Sequence, residues 1–319
     1  DGIRWMYNVA QQEQKRLVVN MSWGLYYMGF MDGTGPIADA MQELSDLGVV
    51  FVSSAGNNGD DKFHLHQDFN TNQDTLRSKI NFATSKKPQI NYGQALTMIS
   101  SPNTSFKYSV MVLDNSGNIL GYTPFFNTAD GDFTIDTTCV VLGIPVEMKI
   151  DNVQSSVPNH RPSVQLRVKK TVYGGINFGI CIVADEGDFH AWNLIELTTG
   201  VGNWGAAFMS LGDGWTAGDK EYGISAPSNV DCAITVAAHI ARSKNSAGIF
   251  TGNGAMASFS SHGPVIDNFT KPDISAPGQD VVAALSSYTT ESLESSHNVT
   301  FNGRTYGFTS LSGTSMASP

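Results

Sequence analysis

From Asp1 the chain reads DGIRWMYNVAQQEQKR, with Ile3, Met6, Tyr7 and Ala10 at the spacing of one helix face, so a helix is predicted over residues 1–16. The apolar run LVVNM follows and breaks into SWG. Beyond the Gly-rich turn GTGP, the stretch IADAMQELSDLG places Ile37, Met41 and Leu44 at helical spacing, and Gly48 suits the end of that helix. VVFVSS is again a continuous apolar run, opening into the loop AGNNG. Strand, helix and strand in this order, with both strands nearly all apolar, predict a buried parallel sheet joined by a right-handed crossover. Ligand chemistry in such sheets gathers beyond the carboxyl ends of the strands, which is where SWG and SAGNNG fall.

Residues 61–222 change character. Helical periodicity fades, and short strand-like runs alternate with turn signals: FKYSVMVLDNSGNILGY reads as a hairpin across Asn115–Asn118, and GDFTIDTTCVVLG, VEMKI, SVQLRVKKTVY and INFGICIVADEG follow closely. That pattern predicts an antiparallel sandwich of jelly-roll type. From 223 the earlier style returns, with the strand CAITVAAHIA, the loop GAMASFSSHGP and the strand-like KPDISAPGQDVVAAL. The predicted fold class is therefore α/β, one mostly parallel layer from residues 1–60 and 223–319, interrupted by an all-β sandwich over 61–222. Trp192, Trp204 and Trp215 lie in the last part of the sandwich, the latter two in the Gly-rich loops GVGNWG and LGDGWTAG. They are read as sealing the joint between the two domains, with ligand binding as the alternative.

Composition narrows the function classes. The 319 residues are 41% hydrophobic and 15% charged, the balance of a folded protein with a sizeable core. A net charge of −10 argues against a nucleic-acid partner or an anionic membrane surface. No apolar run is long enough to span a bilayer, and the start lacks the basic and apolar regions of a signal peptide. Cys139, Cys181 and Cys232 lie in apolar, strand-like surroundings without C-x-x-C spacing, and are read as buried thiols. A Cys139–Cys181 disulfide is the alternative.

The last stretch, LSGTSMASP, sets Ser315 among small residues at the start of a predicted helix. A helix cap accounts for such a serine as well as a nucleophile does. A G-x-S-x-G elbow is a further candidate, but Ala317 stands where that motif needs its final glycine.

The stretches VVNMSWG, GVVFVSSAGNNG, GISAPSNVDCAITVAA, SFSSHGP, KPDISAPGQDVVAA and SGTSMASP, in this order, resemble the second half of the catalytic domain of a subtilisin-type serine protease of the S8 family. The position of the insert resembles the jelly-roll-bearing Csp branch. The resemblance implies that Ser315 is the nucleophile and Asn57 the side-chain donor of the oxyanion hole, with the Ser315 backbone N–H as its second donor. Ser22, Trp23 and Gly24 match the segment that pairs with an extended substrate. Ser54, Ala55 and Gly56 match one wall of the pocket for the side chain before the scissile bond. Trp23 reads equally well as a core aromatic. The Ser315 hydroxyl and the Asn57 amide should converge, with room for one oxygen between them. The implied partner is a polypeptide substrate and the implied setting secreted, periplasmic or cell-surface. No cofactor is evident, although the resemblance allows a structural calcium.

One part of the family pattern is missing. The aspartate and histidine of a triad stand in D-T/S-G and H-G-T-H motifs that do not occur here, so both are expected upstream of Asp1. On this reading the chain is a fragment, inactive alone, whose missing upstream segment is its first partner. The histidines are His64, His66, His160, His190, His239, His262 and His297. His262 falls near the nucleophile, at a position the family does not use as base. His64 and His66 share one strand face and are read as surface polar residues, with a weak metal pair as the alternative. The rival functional class is a non-catalytic pseudoprotease or binding protein that presents its insert to a partner.

Overall fold

The structure, a computed structural model, describes residues 1–319 except 72–73, 83–90, 170–173, 198–199, 242–246, 248, 250–251, 253, 287, 290–294 and 296. A four-stranded sheet runs in the order Val18–Met21, Val50–Ser54, Ala233–Ile240, Ile274–Gln279, and every neighbouring pair is parallel. Helix α2, Pro36–Asp46, is the crossover between the first two strands. Proline at its first turn needs no N–H partner there, and Gly48 with φ 90° turns the chain away after it. The helix buries Ala38, Met41 and Leu44 against Val19, Met21 and Phe51 of the sheet. Helix α1, Gly2–Gln12, packs Ile3, Met6 and Tyr7 on the same cluster and is pinned by the Arg4–Glu43 ion pair. It ends four residues before the predicted boundary at 16, because no apolar position continues its stripe beyond Ala10.

The sheet is less buried than its sequence implies. Its second face is covered around Val236, Ala238 and Ala276 by Ala317 of helix α3, Thr314–Ala317. Toward the start of the strands, Val18 (63% exposed), Val50, Ile234 and Ile274 (55% exposed) stay open to solvent.

Between these parts lie two antiparallel sheets. One is ordered Gly200–Gly205, Gly187–Leu197, Asn91–Ile99, Ser163–Lys169, Ile144–Val153, Phe133–Val141, with His64–Phe69 also paired to Gly187–Leu197. The other is ordered Phe208–Met209, Asp74–Ile80, Asn177–Ala184, Lys107–Leu113, Ile119–Tyr122, with Phe126–Asn127 also on Lys107–Leu113. Leu96, Met98, Ile150 and Leu166 of the first meet Leu76, Ile80, Val110 and Ile182 of the second in one core, the packing of a β-sandwich. The hairpin read across Asn115–Asn118 joins Lys107–Leu113 to Ile119–Tyr122, closed by Asp114, whose carboxylate accepts from the Asn118 N–H at 2.8 Å. The run predicted over 163–173 is a strand to Lys169, and 170–173 lie outside the described residues. The alternative disulfide is not formed: Cys139, Cys181 and Cys232 are all free thiols. A three-stranded antiparallel sheet of Val281–Ala284, Arg304–Leu311 and His297–Phe301 was not expected from the sequence. Its largely exposed residues carry no strong apolar alternation to announce it.

Candidate active site

Three chain segments converge at the carboxyl edge of the parallel sheet. Val18–Met21 delivers Ser22–Gly24, Val50–Ser54 delivers Gly56 and Asn57, and the turn after Leu311 delivers Thr314 and Ser315. The last approach is tight: Gly313 donates its N–H to the Gly278 carbonyl at 2.8 Å. A Cβ on Gly278 would lie 2.5 Å from that of Ala238 and 2.9 Å from the Gly313 carbonyl oxygen, so glycine is needed there. Beneath the site, the Ser228 hydroxyl donates to the Ser54 carbonyl at 2.6 Å and meets the Ser53 hydroxyl at 2.8 Å.

The Asn57 side chain is oriented by its neighbours. Its Oδ1 accepts from the Thr314 backbone N–H at 2.9 Å and from the Thr314 hydroxyl at 3.0 Å. A backbone N–H only donates, so the oxygen must face Thr314 and the Nδ2 amide faces the other way. Thr314 is held in turn by the Gly56 N–H, which donates to its hydroxyl oxygen at 3.1 Å. The Gly313 backbone lies beside that amide, where a Cβ would stand 3.5 Å from the Asn57 nitrogen, an ordinary van der Waals contact. No hydrogen-bond partner among the described residues takes up either the Asn57 amide or the Ser315 backbone N–H. The Ser315 hydroxyl donates to the Ser22 carbonyl at 3.3 Å, and the Ser22 hydroxyl donates back to the Ser315 carbonyl at 3.2 Å.

A cleft of about 100 Å³ opens here, and both Ser315 and Asn57 line it. Ser22, Trp23, Gly24, Ser54 and Gly56 line it too. Trp23 is 46% exposed and is no core aromatic. Ala55 departs from expectation. It is fully buried beside Ile224 and Val265, with its N–H donating to the Val236 carbonyl at 3.0 Å, and it does not face the cleft. Alternation along an extended segment turns it inward while Ser54 and Gly56 face out.

Tyr26, Ser225, Thr314 and Asn203, to which the sequence did not point, complete the lining together with Trp204 from the sandwich. Trp204 thus sits at the cleft, whereas Trp192 is buried and Trp215 packs against Met111, Leu113 and Cys181. Of the three, Trp192 is enclosed and Trp215 is half-buried. Tyr26 is anchored by donating to the Gly223 carbonyl at 2.6 Å and accepting from the Asn58 amide at 3.1 Å, and burial raises its pKa.

No histidine lines the cleft. His262 is exposed on a neighbouring loop, and its carbonyl accepts from the Gly223 N–H at 2.7 Å. His64 and His66 correct the reading of two surface residues. His64 is completely buried between Asp219 and His190, and only His66 reaches solvent. Burial lowers the pKa of His64 and holds that of His190 at about 4, while hydrogen bonding to Asp188 raises that of His66. Contacts with His190 and His66 keep the Asp188 carboxyl far below the usual range. Among the described residues, His66, Asp188 and His190 form the one cluster of three metal-ligating side chains. Two imidazoles and a carboxylate do not suit calcium, which takes six to eight oxygens.

No helix among the described residues is long and apolar enough to cross a membrane. No curated protein matches the chain. Among solved structures, the Clostridium perfringens CspB protease superposes with a TM-score of 0.64 at 18% identity, over 99% of this chain and 56% of that one. The likeness is one of fold, and this chain spans little more than half the length of that protein. The subtilase family, peptidase S8, matches residues 1–319 from end to end, so the chain belongs to that family.

Proposed function

We propose that this chain carries the nucleophile and oxyanion hole of a serine endopeptidase that cleaves polypeptides through an acyl-enzyme on Ser315. The observation that carries the reading is the locked Asn57 side chain. Both bonds from Thr314 fall on its oxygen, which leaves the uncharged amide to donate beside Ser315. Such a donor acts where the carbonyl oxygen of the substrate turns negative, and the Ser315 N–H is its natural second. Ser22–Gly24 would pair with an extended substrate, and Ser54 and Gly56 would flank the side chain before the scissile bond.

A serine hydroxyl needs a base, and no histidine lines the cleft. The reading therefore assigns the His–Asp pair to a segment of the protein outside these 319 residues, and holds the chain alone to be inactive. Family membership supports an extracytoplasmic place of work. The domain reading, a catalytic layer from 1–60 and 223–319 with a sandwich inserted over 61–222, is part of the same proposal, supported by the parallel and antiparallel sheets.

The test is a fluorophosphonate probe and peptide turnover, applied to this chain and to a longer form containing the upstream segment. Labelling and turnover in the longer form only, abolished by Ser315→Ala, is the expected result. Rapid labelling of the short chain would overturn the assigned source of the base. A longer form that carries the His–Asp pair and is inert would overturn the protease reading in favour of a binding protein.

A further inference from the structure

A second cluster lies apart from the cleft, where the His64–Phe69 and Gly187–Leu197 strands meet the loop carrying Asp219 and Tyr222. A line of contacts runs through it. Asp219 Oδ1 stands 2.8 Å from His64 Nδ1, His64 Nε2 stands 3.0 Å from His190 Nδ1, and His190 Nε2 stands 3.3 Å from Asp188 Oδ2. His66 Nε2 approaches the other oxygen of the same carboxylate.

Counting hydrogens along this line exposes a deficit. Each contact needs one hydrogen, carboxylates bring none, and a neutral imidazole brings one. Two imidazoles therefore supply two of the three contacts. Asp219 takes the Nδ1–H of His64, so His64 Nε2 must accept from His190 Nδ1–H. His190 Nε2 is then a bare lone pair facing the Asp188 carboxylate. Reversing both tautomers only moves the clash to Asp219. Both ends of the line reach solvent, Asp219 at 43% and Asp188 at 46% side-chain exposure, while His64 and His190 between them are 0% and 2% exposed; at the Asp188 end a further imidazole, His66 at 41%, stands beside the gap.

We propose that a divalent transition metal, with zinc the best match, binds at this end through His66 Nε2, His190 Nε2 and the Asp188 carboxylate. The ligand atoms lie within 4.8 Å of one another, and the exposed His66 ring, now stacked on His190 at 4.7 Å between centroids, would turn out of that stack to bring them to one centre. Two imidazoles and a carboxylate, with water in a fourth position, is a zinc-type donor set. The buried part of the line becomes the support such a site needs. His190 presents its Nε2 because its Nδ1–H is held by His64, which is itself held by Asp219. The ring of Tyr222 closes over His190 at 4.5 Å between centroids and over His64 at 4.9 Å, shielding the inner side. Bound metal would tie the His64–Phe69 strand to the Gly187–Leu197 strand, with the loop carrying Asp219 joined to it only through the His64 contact. The inference stands on different residues from the protease reading and survives its failure.

The experiment loads chelator-stripped protein with zinc, removes excess by gel filtration, and measures metal content, thermal stability and, with cobalt in place of zinc, the visible ligand-field spectrum. The expected result is about one metal per chain, a raised melting temperature and a four-coordinate cobalt spectrum. His66→Ala, at an exposed position, should fold normally and lose the metal. Asp219→Asn should weaken affinity by about 10–100-fold through the supporting shell. No retained metal, or retention unchanged in both His66→Ala and Asp188→Asn, would overturn the proposal.

Discussion

Replacing Asn57 separates a bracket from a catalyst. In Asn57→Ala the Thr314 N–H and hydroxyl lose the oxygen they share, at 2.9 and 3.0 Å, and Thr314 is only 1% exposed. A stranded buried donor costs about 1–3 kcal/mol. The hydroxyl can turn toward another acceptor, so the pair together should cost roughly 2–4 kcal/mol. Loss of one oxyanion-hole donor in a subtilisin lowers kcat by about 10²–10³, and a similar loss is expected here. Asn57→Asp keeps the oxygen that Thr314 needs but replaces the amide donor with a second, negatively charged oxygen. Its stability should stay within about 1 kcal/mol of the parent, since both acceptor bonds survive. Its turnover should fall at least as far as that of the alanine variant, because the new charge repels the oxyanion. Urea denaturation of this chain, and single-turnover acylation of a longer form if it supplies the His–Asp pair proposed above, give the two numbers independently. If Asn57→Asp restored both stability and turnover, Asn57 would be a strut for Thr314 and the oxyanion assignment would fall.

Other perturbations test separate parts of the structure. The Glu196 carboxylate is buried with no hydrogen-bond partner for Oε2 among the described residues, and Arg167 at 3.8 Å does not offset its desolvation, so its pKa is raised from 4.5 to about 7. The unfolded chain releases this proton first, so the group's contribution is fully present below pH 4.5 and is lost as pH rises through about 7. Glu196→Gln should gain about 2–3 kcal/mol over the parent at pH 8 and almost nothing at pH 4; equal effects at both values in urea titrations would contradict the buried charge. Trp215→Ala, removing a ring packed on Met111, Leu113 and Cys181, should lower stability by about 2 kcal/mol. Trp204→Ala should leave stability within about 1 kcal/mol and raise KM for peptides, because its ring lines the cleft; a large drop in melting temperature with KM unchanged would return it to a sealing role.

What could be read from the chain was what neighbouring residues settle among themselves. Helix α2 announces itself through Ile37, Met41 and Leu44 at helical spacing, with the GTGP turn before it and Gly48 after it, although Ala38 rather than Ile37 is the residue that packing buries. The Asn115–Asn118 turn, the apolar strands and the small residues around Ser315 are equally local. The expected meeting of Ser315 with Asn57 came from resemblance, since their separation along the chain leaves no trace in periodicity. Other features exist only because distant segments pack together. His64 looks like a polar strand residue until Asp219 and His190 close on it, and burial then forbids it the freedom of a surface imidazole. Ala55 turns inward because Ile224 and Val265 offer it a core, and Trp204 reaches the cleft because the sandwich folds back against the sheet. Sequence pattern records which positions favour burial; only the packed chain decides which of them find a neighbour, because a contact's free energy depends on both partners and a pattern describes one.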